Sequence, residues 1–161
     1  MTSIPSLGPR GEGWVVLQFA CFGLIAAAWW FAPATTPGVL APILQAAGYG
    51  LVIVGGVLAG SGLVVLSRAH ALATVPYPRR DASLVQAGPY GIVRHPIYAG
   101  LISGALGLAA LTPWIGSLAA AVLLGVVLDL KRRREESWLA ERFPGYDDYR
   151  RRTRALVPFV Y

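Results

Sequence analysis

The sequence predicts an all-α integral membrane protein with four hydrophobic spans. Its 161 residues are 55% hydrophobic and only 14% charged, whereas a typical soluble domain has roughly 25% charged residues. All 14 Lys and Arg residues fall at Arg10, within 68–94 or within 131–154, and the stretches between are nearly free of charge. Because these basic residues flank apolar runs instead of covering a solvated domain, a nucleic-acid partner is excluded in spite of the net charge of +6.

The first two spans are predicted at 14–31 and 40–66, on either side of a segment rich in Pro, Thr and Gly. Both are long enough to cross a hydrocarbon core of about 30 Å as helices. The third and fourth, at 97–111 and 114–130, are shorter than the usual ~20 residues and are separated by Thr112 and Pro113 alone. They are therefore predicted to form a short helical hairpin.

The distribution of basic residues predicts the orientation. The loops at 32–42 and 112–113 contain no Lys or Arg, while the other non-membrane segments contain all of them. The positive-inside rule then places both termini in the cytoplasm, with cytoplasmic segments at 67–96 and 131–161. The first apolar run has no small-residue cleavage pattern after it, so we expect it to be retained, within a single membrane domain over 1–161.

Small residues in the apolar runs predict close helix packing. Gly56-xxx-Gly60 and Gly100-xxx-Gly104 each put two glycines on one helical face, where backbones can approach closely. Such faces are compatible with a homodimer as well as with a monomer. The one cysteine, Cys21, lies inside the first run, which excludes a disulfide framework and a CxxC metal site.

Candidate chemistry begins just before the third span, in the stretch GPYGIVRHPIYAG at 88–100. Pro96 biases His95 away from helical geometry and itself suits the first turn of a helix. Arg94 and His95 are therefore expected beside a helix N-terminus, whose free N–H groups can hold an anion or a cofactor oxygen. The structural alternative is an interfacial anchor, in which Arg94 snorkels and the neighbouring tyrosines join an aromatic belt.

A second candidate is the run KRRREE at 131–136, directly after the fourth span. Its basic residues are also typical of a topology signal that binds anionic lipid head groups. If the fourth helix continues, Lys131 pairs with Glu135 and Arg132 with Glu136 at i,i+4 spacing, although a solvated helix surface shows the same spacing.

The order of the motifs along the chain resembles that of one family. The motifs are, in order, the Gly-Pro-Tyr turn, the RHPxY motif, the short hairpin, the Glu pair and a Tyr-x-x-Tyr before Val-Pro. They are similar to the isoprenylcysteine carboxyl methyltransferases and their bacterial relatives, which are related more distantly to the phospholipid N-methyltransferases. The resemblance covers about 84–159 and implies a small helical bundle in a bacterial cytoplasmic membrane. Its cytoplasmic C-terminal part would close over S-adenosylmethionine, which leaves as S-adenosylhomocysteine.

The resemblance also implies residue roles. One of Glu135 and Glu136 would hold the polar end of the cofactor, and the basic residue four positions earlier would face the acceptor. Lys131 stands there before Glu135, where the family usually has Arg. The rest of the cofactor pocket would be lined by Ala82, Ser83, Leu84, Val85, Tyr90, His95, Pro96, Ile97 and Tyr98.

Methyl transfer from a sulfonium chiefly requires alignment and exclusion of water, so no metal is expected. A carboxylate acceptor needs a cation to orient it but no base, and the candidates for that cation are Arg94, Arg132 and Lys131. An amine acceptor would need a base such as His95 or a glutamate. The predicted acceptor is lipophilic, reaches the site from the membrane lipids, and is most simply the carboxylate of an isoprenoid or prenylcysteine-like compound.

Three alternatives stay open at this point. The acceptor is a phospholipid amine or a thiol, or the chain is a non-catalytic membrane module, or it is a reductase that binds a nicotinamide cofactor. Asp129, the only acidic residue in a predicted span, is expected to pair with the basic run that follows it.

Overall fold

The structure, a computed structural model, describes residues 4–33, 38–72, 75, 77–78, 83–158 and 160. Within these ranges the chain is helical and forms no strand, which confirms the predicted all-α class. The helices are α1 (Glu12–Trp30), α2 (Ala41–Arg68), α3 (Pro96–Leu111), α4 (Ile115–Arg142) and α5 (Tyr146–Arg152), with a 3-10 turn at Gly88–Gly91.

Two of the described helices, α1 and α2, are long and apolar enough to cross a membrane. They correspond to the first two predicted spans. The expectation of four spans is not met by the other helices. α3 has only 16 residues. α4 has 28 residues, but it runs on into the polar tail, and its apolar part ends where Asp129, Lys131 and Arg132 begin.

α2 and α3 pack with their backbones in contact along a row of glycines at seven-residue spacing. A Cβ atom added at Gly55 would lie 2.6 Å from the carbonyl oxygen of Gly100, and one added at Gly107 would lie 2.7 Å from the carbonyl oxygen of Gly48. Both distances are far inside van der Waals contact, so only glycine permits this approach. The predicted packing role of Gly100 is therefore confirmed.

The predicted packing motif Gly56-xxx-Gly60 is wrong by one residue. Nothing lies within 4 Å of a Cβ atom added at either position, whereas one added at Gly55 would lie 2.8 Å from the backbone nitrogen of Gly104. One residue corresponds to a rotation of about 100° around the helix axis, and so it turns Gly56 and Gly60 away from α3.

A second interface holds α1 against α4, with α3 beside them. Its core contains Trp14 and Cys21 of α1 together with Leu124 and Leu128 of α4. Cys21 is 3% exposed, as expected of a small buried apolar side chain. This interface places α1 next to the part of α4 that carries the basic run.

The chain after α5 folds back along the segment that precedes α3. The backbone N–H of Arg94 donates to the carbonyl oxygen of Arg154 at 2.8 Å, and that of His95 donates to Ala155 at 3.1 Å. The N–H of Arg154 donates in turn to Ile92 at 3.3 Å. The polar tail is thereby fixed beside the start of α3.

Candidate functional site

A cavity of about 420 Å³ lies where α1, α2, α3, α4, α5 and the segment before α3 meet. Its volume falls in the range of roughly 300–1,000 Å³ that is usual for small-molecule sites. Much of its lining is apolar. The polar and aromatic side chains that line it include Gln18, Tyr77, Ser83, Tyr90, Arg94, His95, Tyr98, Lys131, Glu135, Phe143, Tyr146 and Tyr149.

Most of the predicted site residues meet at this cavity. Pro96 is buried at the start of α3 and, like Arg132 and Glu136, is not among the described residues that line the cavity. Ala82 lies outside the described residues. The predicted residues that line the cavity are Ser83, Leu84, Val85, Tyr90, Arg94, His95, Ile97, Tyr98, Lys131 and Glu135.

Glu136 is the centre of a buried group of charges. Its Oε1 accepts a hydrogen bond from Arg94 Nε at 3.0 Å and lies 3.2 Å from His95 Nε2, with a guanidinium nitrogen of Arg132 at 3.7 Å. Burial alone would raise the pKa of the Glu136 carboxyl, but the hydrogen bonds and charges of His95 and Arg94 outweigh it and lower the pKa to about 2. Because an ionised carboxylate only accepts, His95 Nε2 is the donor.

Arg94 connects this group of charges to the C-terminal segment. One of its terminal nitrogens donates to the backbone carbonyl oxygens of Thr153, at 2.6 Å, and Arg150, at 3.2 Å, while Nε is bound to Glu136. The guanidinium therefore joins α4 to the chain around the end of α5. These contacts fix the wall of the cavity and occupy most of the donors of Arg94.

Glu135 is the neighbour of Glu136 on α4 but faces the cavity. Its Oε2 accepts a hydrogen bond from the Tyr98 hydroxyl at 2.8 Å and lies 3.9 Å from His95 Nδ1. The His95 and Tyr98 rings are stacked, with centroids 5.3 Å apart. Within the described part of the chain these contacts involve Oε2, which leaves Oε1 available to a ligand.

Lys131 approaches the same cavity from the α1 side. Its ammonium donates to Gln18 Oε1 at 2.7 Å and lies 5.2 Å from the centre of the Tyr98 ring. Burial lowers the pKa of Lys131, and the charge of Glu135 partly offsets this effect. Among the described residues that line the cavity, Arg94 and His95 lie within ion-pair distance of Glu135 or Glu136, whereas Lys131 instead contacts Gln18 and Tyr98.

Of the two predicted i,i+4 pairs, Arg132 with Glu136 is present, while the described contacts of Lys131 lead instead to Gln18 and Tyr98. Arg132 also lies 2.7 Å from a carboxylate oxygen of Asp129, and Arg133 lies 2.8 Å from the other. The predicted pairing of Asp129 with the basic run is confirmed. Arg132 thus forms ion pairs with Asp129 and Glu136 of its own helix, α4.

Sequence reasoning missed several lining residues. Gln18 is a lone polar residue inside an apolar run, and polar groups at such depth commonly mark functional positions. Tyr146 was noted only as part of a Tyr-x-x-Tyr pattern, yet it is 1% exposed and its hydroxyl is buried without a hydrogen-bond partner in the described structure. Tyr149, three residues later, donates to the carbonyl oxygen of Tyr90 at 2.7 Å.

Comparison with known proteins gives one family and two relatives. Residues 43–145, more than half of the chain, match the family model described as phospholipid methyltransferase. The nickel-cobalt-cadmium resistance protein NccN of Alcaligenes xylosoxydans xylosoxydans is 42% identical over 82 residues. The cobalt-zinc-cadmium resistance protein CzcN of Cupriavidus metallidurans is 39% identical over 84 residues.

Each alignment covers 50% of this chain but only 38% of the relative, so the chain spans less than two fifths of the length of these proteins. The described residues contain no group of three or more His, Cys, Asp or Glu side chains that could hold a metal ion. No solved structure matches the chain.

Proposed function

The chain belongs to the phospholipid methyltransferase family, whose members are related to the isoprenylcysteine carboxyl methyltransferases, and from this membership we propose that it transfers a methyl group from S-adenosylmethionine to a lipophilic acceptor. The observation that carries the proposal is the cavity, whose lining combines Glu135 and several tyrosines with apolar side chains of α1 and α2.

The lining residues fit this cofactor. Its amino-acid end needs an anionic acceptor for the ammonium, which the free oxygen of Glu135 supplies. Its adenine needs apolar and aromatic surface, which Tyr77, Leu139 and Phe143 supply. When bound, S-adenosylmethionine brings a methyl group already activated on a sulfonium, and the protein must chiefly align the acceptor and exclude water.

Among the predicted catalytic cations, Lys131 is best placed to orient an anionic acceptor. Arg94 already binds Glu136 and backbone carbonyls, and Arg132 binds Asp129 and does not line the cavity. Lys131 lines it, and Gln18 holds its ammonium in place at 2.7 Å. A carboxylate acceptor attacks without a base, so a fixed cation suits the carboxylate of an isoprenoid or prenylcysteine-like acid better than it suits an amine.

The acceptor reaches the site from the bilayer in this proposal. Val15 and Phe19 of α1 and Leu63 and Leu66 of α2 line the cavity, and these are the two helices long and apolar enough to cross a membrane. All Lys and Arg residues lie in the segments on the same side of the apolar runs as the termini, and the positive-inside rule assigns that side to the cytoplasm. In this proposal the cofactor enters from the cytoplasm.

The direct test is calorimetric titration of the detergent-purified protein with S-adenosylmethionine and S-adenosylhomocysteine, with NADPH as the control ligand. We expect micromolar binding of both sulfur ligands and none of NADPH. Methyl transfer from labelled S-adenosylmethionine is then measured to a prenylcysteine acid, a phospholipid amine and a lipophilic thiol. Absence of binding by both sulfur ligands would refute the proposed function, while transfer to the amine alone would refute the carboxylate acceptor.

A further inference from the structure

Tyr146 differs from Tyr98 and Tyr149, two other tyrosines that line the cavity. It opens α5, is 1% exposed and lines the cavity, yet its hydroxyl has no hydrogen-bond partner within the described structure. The hydroxyls of Tyr98 and Tyr149 are both bound, to Glu135 and to the carbonyl oxygen of Tyr90. Buried polar groups are nearly always paired, so this hydroxyl calls for a partner supplied from the cavity.

The surroundings of the hydroxyl determine what it can offer a ligand. Burial raises the pKa of Tyr146 well above its usual value, the negative charges of Glu136 and Glu135 raise it further, and Arg94 acts in the opposite direction. The phenol therefore stays protonated at neutral pH and is available as a donor. Tyr146 and Glu135 line the same cavity.

An α-amino acid group presents a cation and an anion a few bonds apart, so its site needs an acceptor and a donor side by side. We propose that the Tyr146 hydroxyl donates a hydrogen bond to the carboxylate of S-adenosylmethionine, while Glu135 accepts one from its ammonium. This inference rests on the proposed function. Lys131, the other candidate donor, is held by Gln18 and serves the acceptor.

The test compares Tyr146→Phe with Tyr149→Phe, which removes the same hydroxyl from a neighbouring tyrosine. Each variant is titrated with S-adenosylmethionine, S-adenosylhomocysteine and decarboxylated S-adenosylmethionine, which keeps the amine but lacks the carboxylate. A hydrogen bond to a charged group changes affinity by about 10-fold or more. Tyr146→Phe should lose about that factor for the two carboxylate ligands and should bind the decarboxylated ligand as wild type does.

Thermal unfolding without ligand separates this positioning role from a structural one. Tyr146→Phe removes a hydroxyl that bonds nothing in the described structure, so its midpoint should equal or exceed that of wild type. Tyr149→Phe breaks the bond to Tyr90 and should unfold at a lower temperature.

Two results would overturn the inference while leaving the proposed function intact. One is wild-type affinity of Tyr146→Phe for S-adenosylmethionine, as expected if water alone satisfies the hydroxyl. The other is an equal loss for the ligands with and without the carboxylate. If wild-type protein bound none of the sulfur ligands, the proposed function would fail together with this inference.

Discussion

The two adjacent glutamates of α4 provide the sharpest test of the structure, through the isosteric variants Glu136→Gln and Glu135→Gln. Glu136 places one carboxylate oxygen 3.0 Å from Arg94 Nε and 3.2 Å from His95 Nε2, and its side chain is 10% exposed. Glutamine keeps an acceptor but removes the charge that compensates these buried groups. We therefore expect Glu136→Gln to destabilise the protein more than Glu135→Gln.

The expected magnitude follows from two independent estimates. Removing one partner of a buried ion pair costs about 3–5 kcal/mol, and the remaining amide acceptor favours the lower end of that range. Lowering the pKa from 4.5 to about 2 corresponds to on the order of 3 kcal/mol of stabilisation by linkage. For a chain of this size, about 3 kcal/mol lowers the unfolding midpoint by roughly 6–12 °C.

The assay is thermal unfolding in detergent, followed by tryptophan fluorescence between about pH 7 and pH 2.5. Because the folded-state pKa of Glu136 is depressed, its stabilisation is present above the unfolded pKa near 4.5 and is lost as the pH falls towards 2. The difference between wild type and Glu136→Gln should therefore shrink across that window.

Glu135→Gln is the matched control, since its amide still accepts from the Tyr98 hydroxyl and the change should cost less than about 1 kcal/mol. Equal midpoints for Glu136→Gln and wild type at neutral pH would refute the assignment of a structural role to Glu136. So would a difference that stays constant down to pH 2.5, because the charge would then not be its source.

The remaining predictions concern helix packing and the acceptor. Gly55→Ala should destabilise the protein by about 2 kcal/mol or more because a methyl group collides with the α3 backbone, while Gly56→Ala should be neutral or stabilising by up to about 1 kcal/mol; equal unfolding midpoints for the two variants would contradict the packing of α2 on α3. Lys131→Met should lower kcat/KM for a lipophilic carboxylate acceptor by about 10-fold or more without changing the dissociation constant of S-adenosylhomocysteine; the opposite pattern, measured by steady-state kinetics and titration, would move Lys131 to the cofactor. Gln18→Leu should reproduce a weaker form of the same kinetic defect, and an unchanged KM for the acceptor would show that Gln18 does not position the ammonium.

The long apolar helices were predictable because the signal that defines them is local. The predicted spans 14–31 and 40–66 correspond to α1 (Glu12–Trp30) and α2 (Ala41–Arg68) within two residues at each end. The fourth span was harder to delimit, because a helix need not end where its apolar residues end. α4 continues to Arg142, stabilised beyond Leu130 by ion pairs among its own side chains.

Residues in or near the RHPxY motif and the KRRREE run were predicted at the cavity, whereas the lining residues of α1 and α2 were not. The hydrogen bond between Lys131 and Gln18 joins residues 113 positions apart, and nothing in the apolar run around Gln18 indicates its partner. The packing face of α2 was missed for a related reason. Sequence spacing predicts that two glycines share a face, but only the partner helix decides which face is buried.

The ambiguity of the Glu pair shows how a fold divides work between neighbouring residues. Both glutamates follow a basic residue by four positions, so spacing alone assigns them the same role. The rotation of about 100° between them turns Glu136 towards Arg94 and His95 and turns Glu135 towards Tyr98 and the cavity. His95 contacts both carboxylates, so the buried pair that fixes the start of α3 also fixes the stacked Tyr98 ring and the carboxylate of Glu135, which lines the cavity. Loss of Glu136 should consequently weaken cofactor binding as well as stability, whereas loss of Glu135 should weaken binding alone.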